Sequence, residues 1–183
     1  MEKLLIVCPL SICSVWEEEF LKFVDFQYNL KILKGSSSKK AETLLSLNGQ
    51  ALQVAVVNYE SVWRLEKQIR KWNPGMIICD ESHKIKSHNI AASKSLHRLG
   101  EKTKYKLILT GTAITNKAID IFSQYKFLNS SIFGKSFYTF RNRYFDMVGF
   151  GNHTPVLKKL MKDELREKIH SIAFIAKKSE CLD

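Results

Sequence analysis

Five short apolar runs limit what this chain can fold into. They are LLIVC (Leu4–Cys8), LKILK (Leu30–Lys34), LQVAVV (Leu52–Val57), MIIC (Met76–Cys79) and KLIL (Lys106–Leu109). Most are continuous rather than alternating, which suits strands buried on both faces of a parallel sheet. Helical spacing fills the intervals. Trp16, Phe20, Phe23 and Val24 recur at i, i+4, i+7 and i+8, and Ser14 with Glu17 forms a capping box at that helix's start. Val62, Leu65, Ile69 and Trp72 mark a helix that stops before Pro74. Ile90 to Leu99 forms another, ended by Gly100. Ala118, Ile121, Phe122 and Tyr125 mark a further one, and KGSSSKKAE (Lys34–Glu42) is a polar loop entering a helix. Strand and helix thus alternate from Leu4 to Leu128, the pattern of an α/β fold with a doubly wound, mostly parallel sheet.

The pattern changes at Asn129. Helices and aromatic loops follow, as in SIFGKSFYTFRNRYF, and Thr154 with Pro155 reads as N-cap and first residue of a helix running to about His170. IAFIA (Ile172–Ala176) is a candidate sixth strand. The expected division is a sheet region over 1–128, a helical extension over 129–170, and a closing strand and exit over 171–183.

Charge points to the partner class. The 29 basic and 18 acidic side chains leave a formal net charge of +11, which favours a polyanion and above all nucleic acid. The cysteines, Cys8, Cys13, Cys79 and Cys181, contain no Cys-x-x-Cys pair. His83, His88 and His97 match no zinc-ligand spacing. Free thiols in this arrangement suit a reducing compartment, and the expected location is the cytoplasm or its nucleoid. The opening MEKLLIVCPLSIC is short, charge-balanced and broken by Pro9, so it reads as a strand rather than a secretory signal.

Four stretches carry candidate chemistry. In GMIICDESHKIKS an apolar run ends in Asp80 and Glu81. Ligands of open α/β sheets bind beyond the carboxyl ends of strands. There one carboxylate can hold Mg²⁺ while the other takes a proton from attacking water. On these residues alone, Asp80 serves equally well as a helix cap. In LILTGTAITN the strand ends in Thr110, Gly111 and Thr112, which can bring hydrogen-bond donors close to a neighbouring site or simply make a strand-to-helix turn. VCPLSICSVW leads through Pro9, Leu10 and Ser11 into a helix N-terminus, a ready phosphate ligand or a routine loop. VVNYESVW does the same through Asn58 and Tyr59.

The order and register of the four are more specific than any one. Together they resemble the first RecA-like lobe of superfamily 2 helicases, and within them the Swi/Snf-type DNA-translocating ATPases. LIVCPLSICSVWEEEF resembles that family's motif Ia, VVNYESVW its motif Ib, CDESHKIKS its motif II and LTGTAITN its motif III. IFSQYKFLNSSIFGKSFYTFRNRYF is similar to the segment that follows motif III, and IAFIAKKSECLD to the lobe's closing strand. The resemblance implies a RecA-like fold and an ATP- and Mg²⁺-dependent activity. By the same implication Asp80 holds the metal of MgATP, Glu81 polarises the attacking water, and His83 links the nucleotide site to motif III and a second RecA-like lobe. Thr110, Gly111 and Thr112 would couple hydrolysis to movement. Pro9, Leu10, Ser11, Asn58 and Tyr59 would follow a double-stranded DNA backbone. Ala113 stands where the family usually has proline, which loosens the turn and removes no chemistry.

The resemblance also implies a phosphate-cradling loop, Gly-x-x-x-x-Gly-Lys-[Ser/Thr]. No such run occurs in the sequence: GSSSKKAE at Gly35 and GTAITNKA at Gly111 both lack the second glycine. The arginines of a second lobe are absent too. The expectation is a piece of a longer ATPase, inactive by itself. Two alternatives stay open. One is a basic nucleic-acid-binding module without catalysis. The other is a lobe of an RNA helicase or restriction-enzyme motor, against which the aromatic stretch Phe133 to Phe145 weighs.

Overall fold

The structure, a computed structural model, describes residues 2–111 and 118–174. Five strands form one parallel sheet: β1 (Lys3–Cys8), β2 (Tyr28–Ile32), β3 (Leu52–Asn58), β4 (Met76–Asp80) and β5 (Tyr105–Leu109). Their order across the sheet is β2-β3-β1-β4-β5. The expected runs are all strands, with β2 beginning two residues earlier than LKILK. Asn58 and Asp80, the polar residues that end two runs, are paired within the sheet.

The direction of chain travel sorts the helices onto faces. A parallel crossover is right-handed, so reversing direction across the sheet changes the face on which the connecting helix lies. The path from β1 out to β2 runs one way through α1 (Cys13–Phe23). Every later step, through α2 (Ser37–Ser46), α3 (Tyr59–Val62), α4 (Glu66–Trp72) and α5 (Ala91–Gly100), runs the other way. Accordingly Leu4, Ile6, Cys8, Val54, Val56 and Ile78 pack with Cys13 and Phe20 of α1. Leu5, Val7, Ala55, Val57 and Ile77 pack with Leu44, Val62, Ile69 and Leu96 on the opposite face. On the α1 side, Tyr105, Leu107 and Leu109 of the edge strand β5 stay 48, 40 and 37% exposed.

Beyond the sheet come α6 (Ile121–Leu128), α7 (Ser130–Phe133), α8 (Phe137–Tyr144), a hairpin of β6 (Phe145–Val148) and β7 (Thr154–Leu157), and α9 (Lys162–His170). They enclose a separate core dominated by rings: Phe122, Tyr125, Phe133, Phe140, Tyr144 and Phe145. Tyr125 donates to the Ile169 carbonyl at 2.6 Å and Tyr144 to Glu164 at 2.7 Å, tying α9 down.

Three local expectations are corrected, and a fourth gains its physical reason. Thr154 and Pro155 do not start a helix; they lie in β7, antiparallel to β6, with Pro155 opposite Met147. A two-stranded ribbon is all edge, so proline costs no interior ladder bond there. The helix to His170 starts only at Lys162. Ser14 is not a cap, because Pro9 opens a single 3-10 turn over Leu10–Ile12 that runs directly into α1. Gly100 does end its helix, as the last residue of α5 itself. A Cβ there would lie 2.8 Å from the Phe127 carbonyl oxygen, so glycine is required by the close approach of α6. Of the candidate sixth strand, Ile172 to Phe174 carry no strand, and Ile175 and Ala176 lie outside the described residues.

Candidate functional site

Register brings the candidate residues to one edge of the sheet. Val7 lies opposite Val57 on one side and Cys79 on the other, and Asp80 lies opposite Leu109. Cys8, Asn58, Asp80 and Leu109 therefore end four adjacent strands at one level. The next residues are Pro9, Tyr59, Glu81 and Thr110. This edge is also where the strand order reverses, between connections that leave β1 in one direction and return past it in the other. Thr110 and Gly111 follow β5 at the same edge. Thr112 lies outside the described residues.

Asp80 has the α1-side parity of Ile78, and its carboxylate is held at both oxygens. The Glu81 backbone N–H donates to Oδ1 at 2.8 Å, and the Trp16 indole Nε1–H donates to Oδ2 at 3.0 Å. Its backbone carbonyl accepts from the Tyr59 hydroxyl at 2.7 Å. Glu81 takes a left-handed conformation, φ 51° and ψ 52°, which costs a residue with a Cβ about 1–2 kcal/mol. The turn sends the two carboxylates different ways. Glu81 keeps a side chain 42% exposed, with His83 Nδ1 3.1 Å from its Oε2. Ser82 points inward, fully buried, and donates to Gln124 Oε1 of α6 at 2.7 Å.

The two flanking segments differ. Pro9 is half-buried, while Leu10 is 71% exposed and Ser11 is exposed. Asn58 and Tyr59 are buried at 8 and 4%, and their polar atoms are engaged inward. Asn58 Oδ1 accepts from Lys40 Nζ at 3.2 Å and Ser61 Oγ at 2.7 Å, and its amide donates to Glu60 at 2.7 Å. Burial pushes the Tyr59 hydroxyl well above its usual pKa. Beneath the Pro9 turn, Cys8 Sγ and Cys13 Sγ lie 3.5 Å apart. Their contact raises the Cys8 thiol and lowers that of Cys13, which Lys40 and Lys34 also favour as thiolate.

Sequence reasoning missed Trp16, Lys40 and Gln124. Trp16 was counted in an apolar stripe. Its indole N–H, on a partly buried side chain, still needs an acceptor, and that need was the available signal. Lys40 and Gln124 gave none. Among the described residues no group of three or more His, Cys, Asp or Glu gathers as a metal cage, and no helix is long and apolar enough to cross a membrane.

A doubly wound sheet with an acidic pair at the end of β4, beside its central strand, and two further turns at the same edge has the architecture of a RecA-like lobe of the Swi2/Snf2 type. The chain belongs to the SNF2-related domain family, which it matches over residues 1–175. The DNA repair and recombination protein RAD54B of Mus musculus is 33% identical over 135 residues, covering 73% of this chain and 15% of that protein. The RAD54-like protein of Drosophila persimilis is 30% identical over 140 residues, 73% of this chain and 18% of that protein. The probable ATP-dependent DNA helicase CHR23 of Arabidopsis thaliana is 29% identical over 178 residues, 96% of this chain and 16% of that protein. The Sulfolobus solfataricus SWI2/SNF2 ATPase core, solved in complex with double-stranded DNA, superposes with a TM-score of 0.74 at 26% identity, covering 98% of this chain and 35% of that one. The chain thus spans 15 to 18% of the length of these curated relatives.

Proposed function

We propose that this chain supplies the metal-holding carboxylate, the water-activating carboxylate and one wall of the DNA track to an ATP-driven motor on double-stranded DNA. The alignment of Pro9, Tyr59, Glu81 and Thr110 at one sheet edge carries the reading. Double-stranded DNA in the solved relative supports it, as does the net charge of +11. The proposed setting is the cytoplasm or nucleoid.

The donor set fits a magnesium ion. Mg²⁺ is usually held by one or two carboxylates, with water and substrate phosphates completing the shell. Asp80 is one carboxylate fixed by two N–H donors, and each of its oxygens keeps a further acceptor site. Bound there, the ion would neutralise charge on the phosphates. Glu81, projecting into solvent beyond the turn, is placed to take a proton from a water molecule. His83, whose Nδ1 lies 3.1 Å from Glu81 Oε2, is placed to orient that carboxylate. Exposed Leu10 and Ser11 offer the α1-side contact to the sugar-phosphate backbone, whereas buried Asn58 and Tyr59 shape the opposite turn. The phosphate cradle and the second lobe's cations would come from outside these 183 residues.

Two measurements test this reading. Fluorescence anisotropy should show duplex binding that weakens about 10- to 40-fold between 50 and 200 mM salt, as for about two to three phosphate contacts. Salt-insensitive binding overturns the backbone-tracking picture. ATP turnover by the chain alone should stay at background with or without duplex. DNA-stimulated turnover would overturn the assignment of the phosphate-holding groups to elsewhere.

A further inference from the structure

The helices that follow the Pro9 turn and Asn58 each make a bond to Asp80. From the Pro9 side, α1 begins immediately after the exposed Leu10–Ile12 turn, and Trp16, one turn into that helix, donates to the Asp80 carboxylate at 3.0 Å. From the Asn58 side, Tyr59 donates to the Asp80 carbonyl at 2.7 Å. These contacts span 64 and 21 residues of sequence, so neither is a by-product of local chain geometry.

We infer that Trp16 is a positioning residue that links the exposed Pro9–Ile12 turn to the Asp80 carboxylate, so that an occupant of the turn sets the pose of the carboxylate. The inference rests on the functional reading above and adds to it the route by which bound DNA reaches the metal site. The geometry supports it in three ways. α1 is an 11-residue helix continuous with the turn that opens it, so a displacement of the turn has no intervening loop to absorb it. Its first residue, Cys13, is pinned beneath that turn against Cys8 and the Pro9 carbonyl, both at 3.5 Å. A hydrogen bond is lost by about 3.6 Å, so a shift of a few tenths of an ångström in α1 is felt at Oδ2. The acceptor is also telling. A packing indole can satisfy its N–H on any carbonyl, as Trp72 does on Leu47. Trp16 instead makes a charge-assisted bond to the functional carboxylate.

The test is NMR on this chain, whose three indole N–H signals belong to Trp16, Trp63 and Trp72. Asp80→Asn should move the Trp16 indole signal and leave Trp72 in place. A duplex DNA titration should move both the Trp16 indole and the Glu81 backbone amide, which reads the other carboxylate oxygen, along the same saturation curve that anisotropy gives. In Trp16→Phe the DNA-induced shift at Glu81 should be lost, while duplex affinity stays within about twofold. An unchanged Trp72 signal certifies that this variant is folded. A Trp16 signal indifferent to Asp80→Asn, or a Glu81 response that survives Trp16→Phe, overturns the inference. Absence of duplex binding in anisotropy overturns the functional reading instead, and the Asp80→Asn response still decides whether the link exists.

Discussion

The molecule packs its interior in two different ways. The sheet region fills with Leu, Val and Ile from strands held by ladder bonds, whereas the region after Phe122 fills with rings drawn from short helices and a two-stranded ribbon. The ladders fix register, and register is what brings four segments to one level. Rings fill volume with little directional constraint of their own. Directional contacts also join the two regions at the seam. Ser82 bonds Gln124, His97 Nε2 lies 2.9 Å from the Ser123 carbonyl oxygen, and His88 stacks on Phe137 with ring centroids 3.9 Å apart. One region places the site and the other braces it from behind.

The comparison breaks most readily at Phe140, 1% exposed at the centre of the ring cluster. Phe140→Ala should cost about 3–5 kcal/mol. Hydrogen exchange should show the loss in α8 and α9 first, with β1 amides still protected. Equal loss of protection in β1 would show one core rather than two. Gly100→Ala strikes the seam, where the new methyl meets the Phe127 backbone. It should cost about 1–3 kcal/mol, seen as a lower denaturant midpoint at unchanged slope. The smallest effect is a pH dependence at the same seam. Burial holds His97 neutral, lowering its pKa from 6.5 to about 4, with Lys126 and His88 adding to the shift while the Ser123 carbonyl and Glu101 oppose it. The unfolded chain takes up the proton first as pH falls. The contribution is therefore complete above about pH 6.5 and is lost progressively down to about pH 4. Melting temperatures of His97→Gln should be flatter than native across that window, and parallel curves would remove His97 from the seam's stability.

The parallel sheet was legible because double burial writes itself as uninterrupted apolar runs. The residues at the site's edge were legible for the same reason, since Asp80 and Asn58 close such runs. The errors have a common cause. Thr-Pro satisfies both a helix start and an edge strand, and only the pairing of Pro155 with Met147 decides between them. Ser14 and Glu17 are correctly spaced for a cap, yet Pro9 had already started the turn. Gly100 does stop its helix, but the reason it must be glycine is Phe127, which lies 27 positions away. The Trp16–Asp80 bond was hidden for a similar reason: periodicity records that a side chain faces inward, not which atom it meets there.

The open face of β5 has a consequence for how the chain behaves in solution. Among the described residues the sheet order ends at β5, leaving an outer backbone edge beside the half-exposed Tyr105, Leu107 and Leu109. Such an edge is a template for another strand, and lysines along it are the usual deterrent. Here Lys104 lies over the Tyr105 ring at 4.9 Å, and Lys106 is turned to the Gly100 carbonyl at 2.9 Å. Deterrence therefore falls largely to the overall positive charge, which holds copies apart only over a Debye length of about 10 Å at 0.1 M salt. The salt that releases the chain from a polyanion also brings its own copies within reach of one another, so clouding at high salt and high concentration is the colloidal signature of this edge.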